Sequence, residues 1–129
     1  LKKHKVECWG TGMALREFLH VDDLGAATIF ALEKWDPKSN NSPKDSIGNP
    51  LYFLNVGTGK DISIKELAFK IAKITGFQGE IIWDKSKPDG TPKKLLDTSK
   101  FNALGWKPHV SLNEGIENTI KEYRINNKI

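Results

Sequence analysis

The sequence predicts a mixed α/β (α+β) chain of short strands with about four helices. Three observations predict it. Ser63-Ile64-Lys65-Glu66 and Ser111-Leu112-Asn113-Glu114 are capping boxes, in which a Ser side chain and a Glu three residues later satisfy the free N–H groups that open a helix. Leu51 to Val56 is a near-continuous apolar run closed by Gly57-Thr58-Gly59, the pattern of a strand buried on both faces. Strand-like and helix-like segments also alternate along the chain.

Taken in order, Val6 to Gly12 reads as a short strand running into a glycine turn, Trp9-Gly10-Thr11-Gly12, and Arg16 to Val21 as a second extended segment. Asp22 is the expected N-cap of a helix over Leu24 to Trp35, with Leu24, Ala27, Thr28, Ala31 and Leu32 as its core face. Residues 36–50 are rich in Pro, Ser, Asn and Lys and read as a mobile surface insertion. After the 51–56 strand, a helix runs from Ser63 to about Thr75 and stops at Gly76, with Ile64, Leu67, Ala68, Ile71 and Ile74 as its stripe. Glu80 to Asp84 is another strand, followed by a polar loop to Lys94. Asp97 or Thr98 caps a short helix ending near Leu104, and Ser111 opens the last one, to about Asn126.

The bulk numbers bound the function. At 129 residues the chain is the size of one domain, and it has no apolar run long enough to cross a membrane. It opens Leu1-Lys2-Lys3-His4-Lys5, with neither Met nor an apolar leader, so a domain boundary is expected here. Cys8 is the single cysteine, which excludes an internal disulfide and a Cys-based zinc cluster and fits a reducing, cytoplasmic setting. Net charge is +4, with lysines clustered at Lys2, Lys3 and Lys5 and at Lys85, Lys87, Lys93 and Lys94. Such clusters either meet phosphates, of a small anion or a nucleic acid, or form a solvated surface. No RNA-binding motif accompanies them, so nucleic acid is not the expected partner.

Four groups of residues could carry chemistry. Gly10-Thr11-Gly12 and Gly57-Thr58-Gly59 look like phosphate loops, but neither completes G-x-G-x-x-G, and both read as tight turns. His20 with Asp22 and Asp23 suggests a metal or acid–base pair, yet a metal needs three or four converging ligands, so no metal site is expected. Trp9 and Arg16 flank the first glycine turn and could converge on one cleft, Trp as a flat apolar face and Arg as a planar fork for phosphate oxygens. The alternative is a core Trp and a solvated Arg. The loop Ser86 to Lys94 is stiffened by Pro88 and Pro92. In it Asp89 could accept hydrogen bonds from sugar hydroxyls and Lys94 could approach a phosphate, or the whole could be a surface turn.

The Trp9-Gly10-Thr11-Gly12 turn followed by Arg16-Glu17-Phe18-Leu19-His20-Val21-Asp22-Asp23 resembles the WGxG…REFLHVDD segment of extended short-chain dehydrogenase/reductases acting on nucleotide sugars, in the NAD-dependent epimerase/dehydratase superfamily. Asn55-Val56-Gly57-Thr58-Gly59 is similar to a strand-end motif of that superfamily. Ser86 to Asp97 resembles the SKPDGTPRKLLD stretch of the GDP-L-fucose synthase family, the GDP-4-keto-6-deoxymannose epimerase/reductases, with Lys93 where Arg is usual. Leu104-Gly105-Trp106 and the final helix resemble the same carboxy-terminus.

The resemblance implies a carboxy-terminal, substrate-binding portion spanning residues 1–129, with 36–50 as an insertion and the amino-terminal NADP-binding Rossmann domain absent. It implies a GDP-sugar ligand held by Trp9, Arg16, Asp89 and Lys94. NADP(H) and the catalytic set (a Ser with Tyr-x-x-x-Lys, and the epimerisation Cys and His) would lie before Leu1, so no catalytic residue is expected in this chain. Alone, it is expected neither to bind NADPH nor to turn over substrate. Cys8, beside Trp9, is not in the context of the catalytic cysteine. The 51–56 strand would have lost its neighbour in the cofactor-domain sheet, and self-association through that exposed edge is expected. The alternatives are another nucleotide-sugar epimerase or dehydratase, and a small basic module binding nucleic acid or another anion.

Overall fold

The computed structural model describes residues 4–128, so Lys2 and Lys3 of the first lysine cluster lie outside the described residues. The elements are β1 (Lys5–Trp9), β2 (Leu15–Glu17), α1 (Val21–Lys34), β3 (Asp61–Ser63), α2 (Ile64–Thr75), β4 (Glu80–Asp84), β5 (Lys93–Lys94), α3 (Ser99–Ala103) and α4 (Leu112–Asn127). They make two small sheets. In one, β1 and β4 run parallel, with Lys5 opposite Glu80 and Trp9 opposite Asp84. In the other, β2 is central, antiparallel to β3 and parallel to β5.

The helices begin and end for local reasons. Ser63 accepts a hydrogen bond from Glu66 N, and Glu66 reaches back to Ser63, closing a full capping box. The Ser63 hydroxyl and amide hold the Glu66 carboxyl below its usual range. Gly76, at φ 72°, ends α2 in the left-handed conformation. Ser111 caps α4 by accepting from Glu114 N. The N-cap of α1 is His20, not Asp22: its ring Nδ1 accepts from Asp22 N at 3.3 Å, which leaves Asp22 and Asp23 in the first turn, where the helix dipole favours acids.

The buried core is small. Ala27 of α1, Phe101 of α3 and Trp106 form its centre, with Leu19, Phe30, Ala31, Leu54, Val56 and Leu104 packed around them. Phe101 sits edge-on to Phe30 with ring centroids 5.8 Å apart and tilts against Trp106 at 5.3 Å. The α1 face therefore differs from the expected stripe. Ala27, Phe30 and Ala31 face the core, whereas Leu24 and Leu32 are exposed, because α3 and Trp106 approach the helix from the Phe30 side. The α2 stripe is only half-buried, and it faces α4 across an apolar groove of about 390 Å³ lined by Leu67, Ile71, Leu112, Ile116 and Ile120.

Leu51 to Val56 is not a strand. No sheet ladder reaches it among the described residues; Leu51 N donates to Pro43 O at 3.2 Å, Leu54 and Val56 dip into the core, and Tyr52 and Phe53 are exposed. The expected strand edge is therefore not formed; an apolar run makes a strand only when a partner completes its hydrogen bonds. The 36–50 segment is hydrogen-bonded to its surroundings and within itself: Trp35 Nε1 donates to Ser42 Oγ, Lys100 Nζ to Lys44 O, and Asp45 accepts from the amides of Ile47 and Asn49. Among the described residues no helix is long and apolar enough to cross a membrane.

Candidate functional site

The glycine turn after β1 and the loop after β4 meet because β1 and β4 are register partners, so both strands deliver their ends to one place. Gly10 N donates to Asp84 O at 2.9 Å, and the Asp89 carboxylate closes the junction. It accepts from Thr11 N and from Thr11 Oγ1, each at 2.6 Å. Gly10 must be glycine: its φ is 79°, and a Cβ there would lie 2.3 Å from Asp89 Oδ1. These bonds, the Thr11 hydroxyl foremost, hold the Asp89 carboxyl below the ordinary aspartate range. Each Asp89 oxygen thus accepts one hydrogen bond from the protein and keeps acceptor capacity of its own.

The clamp sets the 84–94 loop against both other candidates. Lys87 Nζ stands 5.6 Å above the ring of Trp9, which is 68 % exposed and so is not a core tryptophan. Gly90 lies beside Arg16, where a Cβ would come 3.7 Å from Arg16 Nη2. Arg16 is half-buried on β2, its Nη1 curled back on Leu15 O at 2.6 Å. Lys94 is its register partner on β5, which places the two cations side by side on one face. Among the described residues no carboxylate lies within ion-pair distance of either. Lys93, next in the chain, is paired with Asp61 at 3.1 Å. Trp9, Arg16, Asp89 and Lys94 are therefore all tied to the one loop.

The second glycine turn is occupied differently. Gly59 N and Thr58 Oγ1 donate to Glu17 Oε1 at 2.6 and 3.3 Å, and Leu96 N donates to Glu17 Oε2 at 3.1 Å. Each glycine turn thus already holds a carboxylate, which would repel a dinucleotide phosphate, so neither fits NADP(H). His20 serves as a helix cap, and buried Asp23 accepts from His109 N and from Val110 N at 2.9–3.1 Å, fixing the approach to α4. Among the described residues no group of three or more His, Cys, Asp and Glu side chains could hold a metal.

Sequence reasoning missed Glu17, Thr11 and Lys87. Glu17 and Thr11 lie within motifs read above, but their roles depend on partners in distant segments; Lys87 was legible only as one of a lysine cluster.

The chain is similar in sequence and in fold to known proteins. The model of the NAD dependent epimerase/dehydratase family matches residues 1–45. A protein of Oryza sativa subsp. japonica named Probable GDP-L-fucose synthase 1 is 48 % identical over 92 % of this chain and 32 % of its own length. GDP-L-fucose synthase of Escherichia coli (strain K12) is 44 % identical over 94 % of this chain and 36 % of its own. Among solved structures, MlghC, a GDP-mannoheptose C4 reductase from Campylobacter jejuni with NADP bound, superposes with a TM-score of 0.77 at 37 % identity, covering 93 % of this chain and 35 % of that one. The chain spans about a third of the length of the curated relatives it matches. Over nearly all its length, then, this chain is homologous to the GDP-L-fucose synthases, which it matches in their carboxy-terminal part.

Proposed function

We propose that this chain grips the GDP-sugar substrate of a nucleotide-sugar epimerase/reductase of the GDP-L-fucose synthase type, which converts GDP-4-keto-6-deoxymannose to GDP-fucose with NADPH. The observation that carries this reading is the register pairing of Arg16 with Lys94. Two like charges side by side repel, and a doubly charged pyrophosphate set between them turns that repulsion into binding. Arg16 supplies a planar fork for phosphate oxygens and Lys94 a compact charge. The exposed face of Trp9 supplies a surface for a flat ring, with Lys87 beside it. Asp89 holds the loop that carries Lys94 against the turn that carries Trp9, and its remaining lone pairs stay available to sugar hydroxyls.

In this reading NADP(H) and the reacting groups belong to an amino-terminal Rossmann domain, the expected partner of this chain in a cytoplasmic enzyme. The 129 residues bind and orient; they do not catalyse. Calorimetric titration with GDP and GDP-mannose tests the reading. Wild type is expected to bind both and Arg16→Ala neither. Salt-sensitive binding to random oligonucleotide without any response to GDP would overturn it, and preference for UDP-glucose would move the substrate to another nucleotide class.

A further inference from the structure

We infer that Glu17 is the positioning residue that keeps Arg16 and Lys94 in register, an inference that rests on the GDP-sugar reading above. The sequence places it in the Arg16–Asp23 motif without giving it a role, and it touches no group expected to meet the ligand. Its carboxylate is the meeting point of three segments: the 57–59 turn through Gly59 N and Thr58 Oγ1, β2 itself, and the chain just past β5 through Leu96 N. The seat is shaped for it. A Cβ on Gly57 would lie 2.5 Å from Glu17 Oε1, so glycine alone lets the carboxylate in.

Strand β5 needs that tie. It is two residues long, too short to hold itself in a sheet, and it carries the cation that Arg16 repels. Beside its short parallel ladder with β2, it is anchored by Leu15 N donating to Pro92 O at 2.8 Å and by the Lys93–Asp61 ion pair at 3.1 Å. Asp61 is the register partner of Glu17 on β3. The two acids therefore stand opposite each other in the sheet, and both hold β5: Asp61 through Lys93, Glu17 through Leu96 three residues later. Successive residues of β2 divide the labour, Arg16 meeting the ligand and Glu17, on the opposite face, holding Lys94 where the ligand needs it.

Glu17→Gln tests this, because it keeps shape while turning one acceptor oxygen into an N–H₂ that faces a backbone N–H. Affinity of the 129-residue chain for GDP-mannose is expected to fall about tenfold, the worth of one strong hydrogen bond, with the far-ultraviolet spectrum unchanged. Without ligand, amide hydrogen exchange at Leu96 or Gly59 is expected to speed by a similar factor. Asp61→Asn, which frees Lys93 and leaves Glu17 in place, is expected to weaken binding in the same direction and serves if Glu17→Gln does not fold. Wild-type affinity in a folded Glu17→Gln or Asp61→Asn chain overturns the inference. If wild type itself ignores GDP-mannose, the GDP-sugar reading falls, whereas unchanged exchange at both amides in Glu17→Gln removes the tie on its own.

Discussion

Asp89 accepts two hydrogen bonds of 2.6 Å from Thr11, a residue 78 positions earlier, and so locks the loop after β4 to the turn after β1. Because folding lowers the Asp89 pKa, its stabilisation is fully present above the unfolded aspartate value and is lost as pH falls through the folded one. Asp89→Asn is expected to lower the urea midpoint at neutral pH and to weaken GDP-mannose binding. The gap between the two midpoints should close on acidification; a gap that persists in acid would deny the carboxylate its role.

Arg16→Lys keeps the charge and removes the fork. If Arg16 bonds pyrophosphate oxygens in pairs, the lysine form should bind GDP about ten- to a hundredfold more weakly, from the loss of charge-assisted hydrogen bonds worth about 1.5–3 kcal/mol. Titration in rising salt should weaken both forms. Equal affinity at low salt would reduce Arg16 to a plain positive charge.

Asp23 is 3 % exposed and its carboxylate receives two backbone amides from the 109–110 segment. Asp23→Ala orphans both donors, at about 1–3 kcal/mol for each that stays buried. Denaturant unfolding should show the loss in full with or without GDP. A loss that appears only in ligand affinity would place Asp23 in the binding site instead.

Phe101, 2 % exposed, is the largest fully buried side chain in a core with few members. Truncation of a buried Phe to Ala costs about 3–5 kcal/mol, a large share of the total for a domain of this size. Phe101→Ala should therefore leave the chain substantially unfolded at 25 °C, read by loss of cooperative thermal melting.

Tyr52 and Phe53 stand 69 % and 75 % exposed, side by side. Paired exposed aromatics promote association, so light scattering at high concentration should show species larger than one chain. Replacing both with Ser should return a monomer. A wild-type monomer at the same concentration would show that this surface is harmless.

Helices were legible in the sequence because their signals are local: Ser63 with Glu66, Gly76 and Ser111 act within a turn of the helix they bound. Strands were less so. Glu80–Asp84 was readable from its own residues, but β3 and β5 are polar stretches that become strands only because β2 lies between them. The 51–56 run failed for the converse reason, having the right residues and no partner. At the site, side-chain chemistry pointed to Trp9, Arg16, Asp89 and Lys94, but it could not say that Asp89 would be claimed by Thr11. Glu17 stood in the Arg16–Asp23 motif, but its role went unread because its partners Gly59 and Leu96 lie in distant segments.

The bonds that fasten these segments together join positions separated by 78, 79 and 87 residues. Such closures are slow, because a long loop must be ordered before any contact rewards it. A growing polypeptide that has left the ribosome only as far as α2 already displays Trp9 and Arg16, yet has no Asp89, Leu96 or Val110 to receive Thr11, Glu17 and Asp23. The halves of the proposed anion grip are thus synthesised early and late, and the interval between them is the time during which its aromatic and cationic surface waits unassembled.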